Sequence, residues 1–271
     1  MKTVLAVFAE AYKKFNDDRC PLLASALVNA AIFSLFPLLL GILSLSLFIL
    51  GSSNTIIDRI LPILKQAVPI GLEDILRNIR AIKQTSIIVA VVGLLGFLWG
   101  SASIFGAIES SLNVIWKAPK DRSFFKKSLI IIGWAFLSWV LLIASFGIAI
   151  WTNALGLKGF MRFFPFVSSI VSIAIFCLIY WYFPNLKVRW REALAGAVFT
   201  GIFWELAKDL FSLYVTRVVD YSKIFGSLTA IIILLLWLYY SAYIFLFGAE
   251  LGYAYASLAS ETKAAGENIG S

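Results

Sequence analysis

Glu205, Lys208 and Asp209 interrupt the apolar run Ala193–Val215, a run of about the 20 residues that a bilayer-spanning helix needs. A charge inside such a run is costly unless it is paired, hydrated or turned toward other helices. The spacing i, i+3, i+4 puts all three on one helix face. Two readings follow. Glu205 and Lys208 neutralise each other and lock the helix against its neighbours. Alternatively, the three line a polar cavity, with Glu205 accepting a proton or cation and Lys208 attracting an anionic group. Tyr239, Tyr240 and Tyr243, near the middle of the run Gly226–Ala256, belong with this candidate substrate or proton site. Their hydroxyls need partners, because an unpaired polar group in hydrocarbon costs several kcal/mol. Their helix is therefore expected to lie against other helices or a polar cavity.

Glu109 and Glu250 form a second set. Each lies about two turns inside an apolar run, on the order of 10 Å deep at roughly 1.5 Å per residue. Each follows small residues, in Phe105-Gly106-Ala107-Ile108-Glu109 and Phe247-Gly248-Ala249-Glu250, which let neighbouring backbones approach. Arg189 and Arg191 are the expected partners. The set is either a structural ion pair or a gate on the inner side.

Much other chemistry has no residues to perform it. The chain has no histidine, which removes a Ser-His-Asp triad, a His-ligated zinc and a histidine proton relay. Its two cysteines, Cys20 and Cys177, fall in a flank and inside a span, so no disulfide framework is expected. There is no phosphate-binding glycine loop, dinucleotide fingerprint or clustered metal motif. No catalytic residue, cofactor or metal is expected, and the chain does not read as an enzyme.

The elements that position these side chains are membrane helices. Of 271 residues, 61% are hydrophobic and 14% charged, and the mean hydropathy is +0.91. A soluble domain is nearer half apolar and a quarter charged. The net charge of +8 sits largely between apolar runs, as at an anionic cytoplasmic leaflet, so no nucleic-acid partner is expected. The fold class is all-α, with six spans at about 22–50, 86–115, 128–151, 166–183, 193–215 and 226–256 in a single domain, residues 1–258, followed by a disordered cytoplasmic tail, 259–271. Thr3–Phe15 places Val4, Val7, Phe8, Ala11, Tyr12 and Phe15 at helical spacing. It is read as an amphipathic helix lying in the interface or packed on cytoplasmic loops. No signal peptide is visible at the start of the sequence. Pro37 is expected to kink span one, with Ser34 helping to satisfy the carbonyls it frees. Residues 51–85 read as two short amphipathic helices, capping a cavity or lying among headgroups.

The loops after spans two and four are dense in basic residues, including Lys117, Lys120, Arg122, Lys126 and Lys127, then Lys187, Arg189 and Arg191. The loops after spans three and five are sparse. The positive-inside rule then puts both termini in the cytoplasm.

Four stretches, ALVNAAIFSLFPLLLGILSL, WGSASIFGAIESSLNVIW, VRWREALAGAVFTGIFWELAKDLFSLYV and YSKIFGSLTAIIILLLWLYYSAYIFLFGAEL, resemble the YihY/BrkB family of bacterial inner-membrane proteins. The resemblance covers roughly residues 5–258. It implies six transmembrane helices with no established reaction. The family often has aromatic residues where this chain has Asn29 and Ala30. Members were once labelled ribonuclease BN, and the family has been linked with envelope integrity, serum resistance and movement of lipid-like molecules. Hydrolytic nuclease chemistry finds no residues here.

Two functions follow as expectations. One is a transporter or translocator of an amphipathic or anionic lipid-like substrate, with membrane lipids as partners. The other is a non-transporting scaffold that supports the envelope. A membrane-bound nuclease ranks last. The sequence leaves homo-oligomerisation open.

Overall fold

The computed structural model describes residues 2–50, 86–118, 133, 164–218 and 228–269. These form α1 (Lys2–Asp17), α2 (Cys20–Leu50), α3 (Ser86–Ile115), α4 (Phe164–Tyr182), α5 (Trp190–Val218) and α6 (Leu228–Ile269). Among the described residues there is no strand. The expected third span and the short helices of residues 51–85 lie outside the described residues. α6 runs to Ile269, into the stretch 259–271 read from the sequence as a disordered tail. Its last turns, ASETKAAGEN, are rich in Ala, Glu and Lys, which favour helix, and extending an existing helix avoids the cost of a new nucleus.

Two local signals set the helix ends. Arg19 has φ 51° at the break between α1 and α2, where the Asp18 and Arg19 amides donate to the Lys14 and Asn16 carbonyls at 2.8 and 3.1 Å. The segments on either side, Leu5–Asp17 and Cys20–Leu35, are bent by 68°. Lys117 also has φ 51°, and the Ala118 amide reaches back to the Asn113 carbonyl at 2.9 Å. That is a Schellman-type stop with lysine where glycine is usual.

The chain forms two compact units, residues 1–29 with 105–271, and residues 30–104. In the first unit α5 packs against both α4 and α6, and α1 lies along α6. Val7 and Ala11 are buried with Leu251 and Ala254 of α6, and Phe15, four residues on, is buried in the larger cluster that holds Leu246 and Ala249. Phe15 stands 5.8 Å from Phe247 and 5.7 Å from Tyr243, ring centre to ring centre. The apolar face of α1 therefore meets a helix, while Leu5 and Tyr12 remain exposed.

The α5–α6 seam is built from small residues. A Cβ added to Gly196 would meet the Gly248 carbonyl, one on Gly248 would meet the Thr200 hydroxyl, and one on Gly252 would lie 2.8 Å from the Glu192 carbonyl. Ala193, Ala197 and Ala249 are buried beside them. Gly106 differs from the expectation of close packing, since among the described residues nothing lies within 4 Å of where its Cβ would stand.

In the second unit α2 stays helical through Pro37. Pro37 lies against Gly96, whose added Cβ would stand 3.4 Å from the proline Cβ and carbonyl oxygen. The repair expected of Ser34 is corrected. The carbonyl that a proline frees is that of residue i−4, here Phe33. The Ser34 hydroxyl donates instead to the Ala31 carbonyl at 2.9 Å, the ordinary back-bond of a helical serine.

Candidate functional site

Glu205 projects from α5 toward α4. Its Oε1 accepts a hydrogen bond from the Ser172 hydroxyl at 2.9 Å. Lys208 Nζ stands 2.8 Å from each carboxylate oxygen. The lysine side chain is 39% exposed and the glutamate 22%, so one end of this polar unit reaches the protein surface. Ser172 was not among the residues singled out from the sequence. Asp209 shares the helix face by spacing but is exposed, and it makes no hydrogen bond or ion pair among the described residues.

Aromatic rings surround the same stretch of α5. Trp204, Lys208 and Phe211 fall at i, i+4 and i+7, on one face of the helix. Trp237 of α6 packs against the first and last, at 5.5 and 4.6 Å between ring centres. Phe176 of α4 meets Trp204 edge-on at 5.5 Å. Trp237 is thus the α6 aromatic that faces this site. Tyr239 and Tyr240 are exposed, and Tyr243 turns to Phe15 of α1. Among the described residues, no hydrogen bond or ion pair joins any of the three to Glu205 or Lys208.

Further along α5, Tyr180 is buried and donates to the Phe245 carbonyl at 2.6 Å. It also lies 2.8 Å from the Thr200 hydroxyl, which reaches the Gly196 carbonyl at 3.0 Å. One tyrosine thereby ties α4 to α5 and α6.

The second set of charges is arranged differently from the expectation. Glu250 is fully buried. The Cys20 thiol donates to its Oε1 at 3.2 Å, and its Oε2 has no hydrogen-bond partner among the described residues. Arg189, just before α5, turns to Glu192 in the first turn of that helix, 3.9 Å from Oε1, while its amide donates to Oε2 at 3.1 Å. This is one half of a capping box that starts α5. Arg191 lies over the Trp190 ring at 5.4 Å. Among the described residues no ion pair joins either arginine to Glu109 or Glu250. Glu109 is buried on α3.

Comparison with known proteins bears on these features. The profile of the family described as "Virulence factor BrkB" matches residues 11–268. The chain belongs to the BrkB family. BrkB-family relatives include proteins named UPF0761 membrane protein. One from Pseudomonas aeruginosa is 30% identical over 254 residues, covering 88% of this chain and 60% of that protein. One from Cronobacter sakazakii is 29% identical over 248 residues, covering 88% of this chain and 84% of its own. One from Chlorobium limicola is 30% identical, covering 92% and 58%. The chain thus spans about three fifths of the length of several relatives it matches. No solved structure matches. This BrkB-family chain is a membrane protein. Among the described residues one segment, Ile231–Ser260 of α6, is by itself long and apolar enough to cross a bilayer, and the bent pair Leu5–Asp17 and Cys20–Leu35 passes the same test jointly.

Two of the residues that matter most were hidden in the sequence for a plain reason. Cys20 and Ser172 become polar partners only through contacts with residues 230 and 33 positions away. The composition of one helix says nothing of which turn of a distant helix it meets.

Proposed function

We propose that this BrkB-family chain translocates an amphipathic, anionic, lipid-like molecule across a bacterial inner membrane. It would do so through a six-span body with both termini cytoplasmic. The observation that supports this reading is the Glu205–Lys208–Ser172 unit, which reaches the surface beside the Trp204, Phe211 and Trp237 rings. A lysine ammonium is a compact donor for phosphate or carboxylate oxygens. Flat aromatic surfaces beside it suit an acyl or prenyl stem. Glu205 holds the ammonium in the resting arrangement. An incoming anion exchanges one charge-assisted partner for another, so the lysine is never left bare in a medium of low polarity.

The test is native mass spectrometry of the protein in mild detergent with added anionic and zwitterionic phospholipids. Wild type is expected to hold the anionic lipid, and Lys208→Ala to retain it at least about tenfold less, which corresponds to ~1.4 kcal/mol. Glu205→Gln, which frees the ammonium, is expected to hold it at least as well as wild type. Equal, non-selective lipid retention by all three proteins would overturn the reading and favour a scaffold, the role that the tightly closed α5–α6 seam would suit.

A further inference from the structure

We propose that Glu250 is a proton-exchange site, built by the α1–α2 turn, the end of α3 and the middle of α6, and separate from the Glu205–Lys208 unit. Three buried polar atoms at this junction have no hydrogen-bond partner among the described residues: Glu250 Oε2, Asp18 Oδ2 and Trp116 Nε1. They comprise two carboxylate acceptors and one indole donor. Buried polar groups are nearly always satisfied, by protein or by ordered water. Water at these atoms can donate to the carboxylates and accept from the indole.

Among the described residues, the charged and titratable neighbours fit an exchange site better than a static ion pair. α1 and its turn bring Lys14 and Asp18, and α3 brings Lys117. All three act electrostatically on the Glu250 carboxyl, but none forms an ion pair with it among the described residues. Both lysines instead lie over the Tyr253 ring at 5.7 Å, one turn beyond Glu250 on α6. Trp116 meets the same ring edge-on at 5.8 Å. From α5, Glu192 is occupied by Arg189. From α4, the Tyr180 hydroxyl is held by Phe245 and Thr200. α2 brings Cys20, whose thiol hydrogen bond fixes one carboxyl oxygen and leaves the other for the exchanging proton. Among the described residues no three Cys, Asp or Glu side chains are grouped to hold a metal ion.

The arrangement therefore has a layered order. Two ammonium groups stand outermost, an aromatic pair lies beneath them, and a carboxyl fixed by a thiol lies innermost. The proton passes between Glu250 Oε2 and solvent by way of water at Asp18 and Trp116. Nothing in this depends on whether the chain moves a substrate.

The test is infrared difference spectroscopy of the purified full chain in detergent, stepping the pH. Wild type is expected to give a pH-dependent carboxyl C=O band that is absent from Glu250→Gln. Cys20→Ala, which removes a donor to Oε1 with little change in volume, is expected to shift the frequency of that band. This variant keeps the test decisive if Glu250→Gln does not fold. Identical spectra from wild type and Glu250→Gln overturn the proposal. So does a band that is lost in Glu205→Gln instead, or one that Cys20→Ala leaves unmoved.

Discussion

Tyr180 is the side chain through which three helices are joined. Its hydroxyl and that of Thr200 have two protons for three contacts, to each other and to the Phe245 and Gly196 carbonyls. The pair must therefore share its hydrogen bonds, and neither hydroxyl can be judged alone. Tyr180→Phe keeps the ring that stacks on Phe176 and Phe245 and removes the proton given to Phe245. In a membrane protein such a bond contributes about 1 kcal/mol. For a chain of this size that lowers the thermal midpoint by roughly 2–4 °C. Scanning fluorimetry of the detergent-solubilised variant checks it. Thr200→Val is expected to cost a similar amount, and the double variant less than the sum, because the two groups form one network. A double variant that loses the full sum would show the two hydroxyls acting independently. Tyr180 was not among the residues singled out from the sequence. Its role depends on facing two helices at once, which no single-helix pattern encodes.

At the scale of elements, the helices were more legible than their contacts. Runs of apolar residues announce a helix by length and composition, and α2, α3, α4, α5 and α6 stand where such runs were read. The glycines of α6 were partly legible, since Gly248 and Gly252 are four apart and share a face. Gly106 looked equivalent in its local sequence, yet among the described residues its position is open. The difference lies in the partner: Gly248 faces Gly196 and Thr200 on α5, whereas no described residue approaches Gly106. The consequence is a graded prediction. Gly248→Ala must displace Thr200 and the Tyr180 hydroxyl, which stands 2.9 Å from the added Cβ, at a cost of about 1–3 kcal/mol for overpacking. Gly252→Ala pushes on a backbone carbonyl, which yields less readily than a side chain. Gly106→Ala fills open space and gains helix propensity, so its stability is unchanged or higher by about 0.5–1 kcal/mol. Thermal midpoints of the three variants, measured in one detergent, decide the matter. A Gly106→Ala variant as damaged as Gly248→Ala would show that helix contacts here are not set by this seam.

Across the first unit, the structure gathers one set of ends. Trp116 at the end of α3 meets Tyr253 in α6. Lys14 of α1 lies over the same ring. Asn113 accepts a hydrogen bond from the Asn185 amide in the α4–α5 loop at 2.8 Å. The α1–α2 turn, the Trp116–Lys117 end of α3, the basic loop after α4 and the Glu250–Tyr253 stretch of α6 therefore belong to one end of the bundle. The positive-inside rule was applied to the loops one at a time, and it could not show that they are neighbours. Their clustering concentrates Lys14, Lys117, Lys187, Arg189 and Arg191 at one boundary, where an anionic leaflet attracts each basic side chain by about 1 kcal/mol. This end is expected to face the cytoplasm. Cysteine labelling in intact bacterial cells tests it, in a background where Cys177 is replaced by Ser and the buried Cys20 is retained. Asn16→Cys and Lys187→Cys, both at exposed positions, are expected to resist a membrane-impermeant maleimide until the cells are permeabilised, and then to label fully. Labelling of either position in intact cells would invert the orientation. It would also put the Glu250 junction on the outer side, so that its proton would exchange with the periplasm.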